Sequence, residues 1–109
     1  MLRAKAEVMF TIEGRNYTGN SILRPAFKFS DGLSFSGDII SEHDEYFFNE
    51  SYIVNIDFFT IEDEAFSALQ SVLTKDMRLT IHEGRRILGF AKLLGYTYDA
   101  TISERRAVG

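Results

Sequence analysis

Leu79-Thr80-Ile81-His82-Glu83-Gly84-Arg85-Arg86-Ile87-Leu88-Gly89-Phe90-Ala91-Lys92-Leu93 is the stretch whose reading decides the fold. Its left half alternates apolar and polar residues and its right half is nearly all apolar. Glu83-Gly84-Arg85 lies between them, so the spacing predicts two strands joined by a tight glycine-bearing turn. Such a hairpin cannot bury its apolar face alone, and the segments before it must supply strands to cover it.

Working outward, Lys5 to Ile12 places Ala6, Val8, Phe10 and Ile12 at alternate positions, the pattern of a strand with one apolar face. Glu13-Gly14-Arg15-Asn16 reads as a turn or loop start, and Tyr17 to Ile22 fits neither period. Pro25 suits the first residue of a strand, where no ladder N–H is needed, and it pushes Arg24 toward extended geometry. Phe27 and Phe29 then share a face, Ser30-Asp31-Gly32 signals a turn, and Leu33, Phe35, Gly37 and Ile39 alternate after it. A second hairpin is therefore expected. Ser41 to Asn49, with Glu42, His43, Asp44 and Glu45, is polar enough to read as an exposed loop. Ser51 to Phe59 returns to β character, with Tyr52, Val54, Ile56 and Phe58 on one side. Between Thr60 and Thr74 the period lengthens: Ile61, Ala65, Leu69, Val72 and Leu73 recur at helical spacing, with Thr60 as cap and Asp63 completing a capping-box-like pattern. One short helix is expected inside Glu62 to Leu73, before the last hairpin, whose second strand runs to Tyr96 or Tyr98. Phe27, Val54, Ile56, Ile81 and Leu88 are the expected inward positions, and residues 100–109 read as a loose tail.

Composition sets the bounds. A chain of 109 residues, 45 % hydrophobic and 14 % aromatic, carries enough apolar surface for one core, so residues 1–109 are expected to form one domain. With no Cys it uses neither disulfides nor thiolate metal sites. No apolar run approaches the roughly 18 residues of a membrane span, and Arg3, Lys5 and Glu7 interrupt any signal-peptide core; the expectation is a cytoplasmic protein without membrane contact. The net charge of −4 is unevenly spread. No Lys or Arg stands between Lys28 and Lys75, whereas Asp31, Asp38, Glu42, Asp44, Glu45, Glu50, Asp57, Glu62, Asp63 and Glu64 do, and both flanks are net positive. A block of one sign attracts basic partners and repels nucleic acid until salt screens it.

Four pieces occur in an order that resembles a known family: Ala6-Glu7-Val8; Arg24-Pro25-Ala26-Phe27-Lys28-Phe29 with Gly37 following; Tyr52-Ile53-Val54-Asn55-Ile56; and Ile81-His82-Glu83-Gly84-Arg85-Arg86-Ile87-Leu88-Gly89. Together they resemble the carboxy-terminal barrel domain (domain three) of elongation factor Tu and related translational GTPases, standing without the GTPase domain. The resemblance implies an all-β fold, a six-stranded antiparallel Greek-key barrel, here with one short helix before the last hairpin. In that family the domain helps contact the T stem of aminoacyl-tRNA and docks on protein neighbours. Arg24, Arg86 and the Glu83-Gly84 turn match positions from which such a role could be carried over. No G-x-x-x-x-G-K-[ST] is present, so no nucleotide chemistry is implied.

Catalytic signals are lacking in the sequence: there is no G-x-S-x-G and no cysteine nucleophile. His43 stands among Glu42, Asp44 and Glu45, but adjacent residues do not converge easily on one ion, and His82 belongs to another strand. No enzyme activity, metal or cofactor is expected. The leading expectation is a protein-binding module, an acidic barrel that caps a basic partner in the manner of an immunity protein or antitoxin. Glu42, Asp44, Glu45, Glu50, Glu62, Asp63 and Glu64 form its contact surface. The alternative is a translation-linked tRNA- or RNA-binding module that uses Arg24, Arg86 and Lys92, a role that an acidic domain suits poorly because phosphate affinity comes from basic groups.

Overall fold

The computed structural model describes residues 1–11, 17–18, 25–43 and 45–99, without the side chains of residues 17, 18 and 45. Along the chain run β1 (Leu2–Phe10), β2 (Tyr17–Thr18), β3 (Ala26–Ser30), β4 (Leu33–Ser36), β5 (Asp38–Ile40), β6 (Glu45–Tyr46), β7 (Ser51–Phe58), α1 (Asp63–Gln70), β8 (Arg78–Glu83) and β9 (Arg86–Tyr98). Seven strands form one antiparallel sheet, curled into a half-barrel, in the order β4-β3-β8-β9-β1-β7-β5; β2 and β6 pair separately. The fold is all-β with one short helix, as the alternation predicts.

The last hairpin forms where expected. Glu83 faces Arg86 across a loop of Gly84 and Arg85, and Gly84 sits at φ 60°, where a side chain is disfavoured. Ile81 then faces Gly89 whereas His82 faces Ile87, so Leu88 is an extra residue that bulges β9. A second extra residue, Leu94, lies where β9 pairs with β1. β9 is the longest strand and lies between β8 and β1, which makes it the spine of the sheet. The second hairpin is also present, with Ser30 opposite Leu33 across Asp31-Gly32.

Alternation turns one face inward. Leu2, Ala4, Ala6, Val8 and Phe10 of β1 are buried, as are Phe27, Phe29, Val54, Ile56, Phe58, Leu79, Ile81, Leu88, Ala91 and Leu93. All five expected inward positions are among them. Each fully buried large side chain contributes about 1.5–3 kcal/mol by leaving water. Phe58 meets Phe27 and Phe29 edge to face at 5.3 and 5.4 Å, a preferred ring geometry. The helix adds Leu69 to the core, with Ile61 just before it and Leu73 just after it, and its Phe66 stacks on Tyr98 at 3.9 Å.

Several expectations need correction. The first strand starts at Leu2 and ends at Phe10, because Leu2 and Ala4 continue the buried alternation; Ile12, the Glu13–Asn16 turn and the tail lie outside the described residues. The single strand expected over Leu33–Ile39 is broken at Gly37, with β4 pairing with β3 and β5 with β7. A Cβ there would lie 2.7 Å from Ile56 Cγ2 and 2.8 Å from Phe58 Cε1, so the chain presses on the core as it turns this corner. The main sheet thus counts seven strands rather than six, and its two edges are halves of one bent stretch. Ser41–Asn49 is not wholly an exposed loop: it contains β6, and Tyr46 is only 1 % exposed. Its ring packs edge to face on Phe10 and Tyr52, while its hydroxyl is hydrogen-bonded to that of Ser41, which satisfies the one polar atom burial would strand. Finally, Glu62 rather than Thr60 is the N-cap of α1, and no side chain makes a cap hydrogen bond. Ile61, fully buried, sets the phase instead: its N–H donates to the Phe58 carbonyl in a tight turn, and packing holds the helix.

Candidate functional site

The course of β7 determines where the acidic block lies. Glu50 immediately precedes this strand, whereas Glu62, Asp63 and Glu64 follow the turn after its last residue. Seven steps of extended chain, about 23 Å, separate the strand's ends. Glu42 belongs with Glu50, because the neighbouring His43 ring lies 4.8 Å from the Tyr52 ring, whose hydroxyl donates to Glu50 Oε2 at 3.2 Å. Phe47, 45 % exposed, is tied to the same place by its N–H donating to the Tyr52 hydroxyl. Glu45 lies in β6 opposite Thr18, and Asp44 lies outside the described residues. At the other end Glu62, Asp63 and Glu64, all exposed, line an open cleft of about 380 Å³ with Thr60 and Ala65. Phe59, 55 % exposed, stands just before them. Asp63 accepts a hydrogen bond from the Tyr98 hydroxyl at 3.0 Å. The expected acidic surface is therefore two groups, each beside an exposed phenylalanine.

The basic candidates do not share a face. Leu79 and Ile81 point inward, so Arg78, Thr80 and His82 point outward, and Lys92, the register partner of Arg78, joins them. The Glu83–Arg86 pair is one step on from His82–Ile87 and falls on the opposite side. Lys92 Nζ is 3.9 Å from Asp76, the Arg78 guanidinium lies 3.7 Å over the Phe90 ring, and Arg24 is outside the described residues.

Two features depend on contacts that only the strand register supplies. Asp57 occupies an outward position of β7 yet is 3 % exposed. Its register partner on β1 is Arg3, which donates from Nε to Oδ1 at 2.6 Å and from Nη2 to Oδ2 at 3.0 Å. Hydrogen bonding to this carboxylate, with its charge, raises the Arg3 pKa above the ordinary guanidinium value. His82 is the second: Nδ1 is 2.9 Å from the Gly84 carbonyl oxygen and Nε2 is 3.1 Å from Ser34 Oγ. The alternation places His82 and Ser34 outward on their strands; only the register brings them together.

Among the described residues no group of three or more His, Asp or Glu could hold a metal ion, and no helix is long and apolar enough to cross a membrane. Compared with models of protein families and with curated proteins, the chain matches none.

Proposed function

We propose that this chain is a non-enzymatic protein-binding module, an acidic barrel that caps a basic partner as an immunity protein or antitoxin does. The observation that carries the reading is Phe59, more than half exposed, one residue before an open cleft that Thr60 and the exposed Glu62, Asp63 and Glu64 line. An aromatic anchor with a charged rim is the composition of a binding patch, in which the ring supplies affinity and the rim speeds and orients encounter. Among the described residues Glu62 forms no side-chain cap, and the ion pairs Arg3–Asp57, Lys28–Asp31 and Lys92–Asp76 do not include Glu62 or Glu64, whereas Asp63 is held by the Tyr98 hydroxyl. Interaction with the helix dipole accounts for about 0.3–1 kcal/mol at each first-turn acid and leaves the exposed Phe59 unexplained.

The alternative, a translation-linked RNA-binding module like domain three of elongation factor Tu, draws less support, since Arg86 and Lys92 face opposite sides and Lys92 has an acidic neighbour. The test is kinetic. A partner identified by cross-linking in the native host is purified, and its association rate is measured against salt. Glu62→Gln/Asp63→Asn/Glu64→Gln slows association at low salt, and the native and variant rates converge near 1 M, where the screening length falls to about 3 Å. Identical rates at low salt would refute the reading, as would tight, salt-sensitive tRNA binding that Arg86→Ala abolishes.

A further inference from the structure

Across the outer face of β3, β4 and β8 runs a groove of about 410 Å³, lined by Lys28, Ser34, Thr80, His82, Gly84 and Arg85 among others. Lys28 stands in register between Ser34 on β4 and Thr80 on β8, and His82 reaches across β3 beside Ala26, its register partner, to meet Ser34. The groove thus has a cation toward each end and a floor of two hydroxyls and an imidazole. We propose that it binds a compact oxyanion of phosphate type. The site is independent of the acidic patch.

The polar contacts fit this ligand. Lys28 is 3.1 Å from Asp31, whose side chain is fully exposed; such a solvated pair is weak and yields to a better anion. Arg85 offers the planar fork that matches tetrahedral oxyanions. The Gly84 carbonyl can only accept, so His82 Nδ1 carries a hydrogen, and in the neutral ring Nε2 accepts from the Ser34 hydroxyl. A proton added at Nε2 reverses that bond: Nε2 then donates to Ser34 Oγ, and the Ser34 hydrogen is released toward the groove. Anion binding and protonation of His82 therefore favour each other. The charges that line or adjoin the groove on the ring's side are Lys28 from β3, Asp31 from the β3–β4 turn and Arg85 in the β8–β9 loop; β4 contributes only the uncharged Ser34 and Ser36 there, and Glu83 and Arg86 fall on the opposite side. Two cations against one acid leave the surroundings net positive.

Sulfate is the probe, since its charge is constant across neutral pH, and it is titrated into labelled protein at fixed ionic strength while amide NMR signals are followed. The expected result is saturable shifts at Ser34, Thr80, His82 and Arg85. Lys28→Gln and Arg85→Gln each weaken binding about tenfold, the effect of losing one charge-assisted bond, while Lys75→Gln does not. Affinity rises as pH falls, and His82→Gln abolishes that rise while the spectrum stays dispersed. Phenyl phosphate displaces sulfate from the same signals if the natural ligand is a monoester, and fails to do so if it is a free ion. Absence of saturable shifts at these amides, or equal affinity in Lys28→Gln, Arg85→Gln and the native protein, would overturn the site. A pH response that survives His82→Gln would overturn the coupling.

Discussion

Gly89→Ala is predicted to be among the most damaging single-methyl additions this chain can receive. The bulge at Leu88 turns residue 89 so that an added Cβ would lie 2.1 Å from the Met9 carbonyl oxygen and 2.8 Å from Phe10 Cα. Both obstacles are backbone of β1, in the middle of the sheet, so no rotamer change relieves them. β1 must move, straining its pairing with β9 around Phe10–Gly89 and the Thr11 N–H bond to the Leu88 carbonyl. Overpacking against side chains costs about 1–3 kcal/mol, and a rigid neighbour places this case at or above about 3 kcal/mol. At this size that corresponds to a fall of at least about 12 °C in melting temperature. Gly95→Ala is the control: it lies in the same strand, its Cβ would meet nothing within 4 Å, and its φ is not in the left-handed region. There the reduced freedom of the unfolded chain should leave stability unchanged or raise it by about 0.4–1 kcal/mol. Urea unfolding followed by circular dichroism measures both. A loss below about 1 kcal/mol for Gly89→Ala, or equal losses for the two variants, would refute the reasoning.

Ile81→Ala removes a fully buried side chain and should cost about 2–5 kcal/mol in the same assay; a loss under about 0.5 kcal/mol would mean that the side chain faces water. Burial raises the Tyr46 pKa, with the nearby Tyr52 adding to it and the Ser41 hydrogen bond opposing it. The stability contributed by the neutral phenol is therefore present below its ordinary value near 10 and lost as pH rises through the higher folded value. Tyr46→Phe should cost about 1 kcal/mol at neutral pH and flatten the alkaline fall in stability, an expectation that an unchanged alkaline limb would contradict.

How much of this was legible depended on the range of the interaction concerned. The hairpins over 79–93 and 26–36 could be read because a turn and the alternation on either side of it are local. Leu69 and Leu73 could be placed for the same reason. What escaped was set by partners distant in sequence. Tyr46 looked exposed among Glu42, His43 and Glu45 until Ser41, Phe10 and Tyr52 supplied its surroundings. Asp57 belonged to the solvent face by alternation, and only the register against β1 shows that Arg3 covers it. The acids from Glu42 to Glu64 form one block in sequence, but an eight-residue extended strand lies inside that block and carries its two halves apart. The His82–Ser34 contact spans 48 positions and has no counterpart in either residue's neighbourhood.

The corner at Gly37 has a consequence for how copies of this chain meet one another. A sheet of seven strands ordinarily offers two unsatisfied borders along which a neighbouring molecule can extend the ladder, the usual start of amyloid-like growth. Here those borders are four and three residues long and are consecutive in the chain, so a would-be template ends at a bend after one or two hydrogen-bonded pairs. Straightening that bend would pull Gly37 off Ile56 and Phe58, so lengthening the border requires opening the core. Self-association by lengthening either of these two borders is thus linked to opening of the core rather than to fraying.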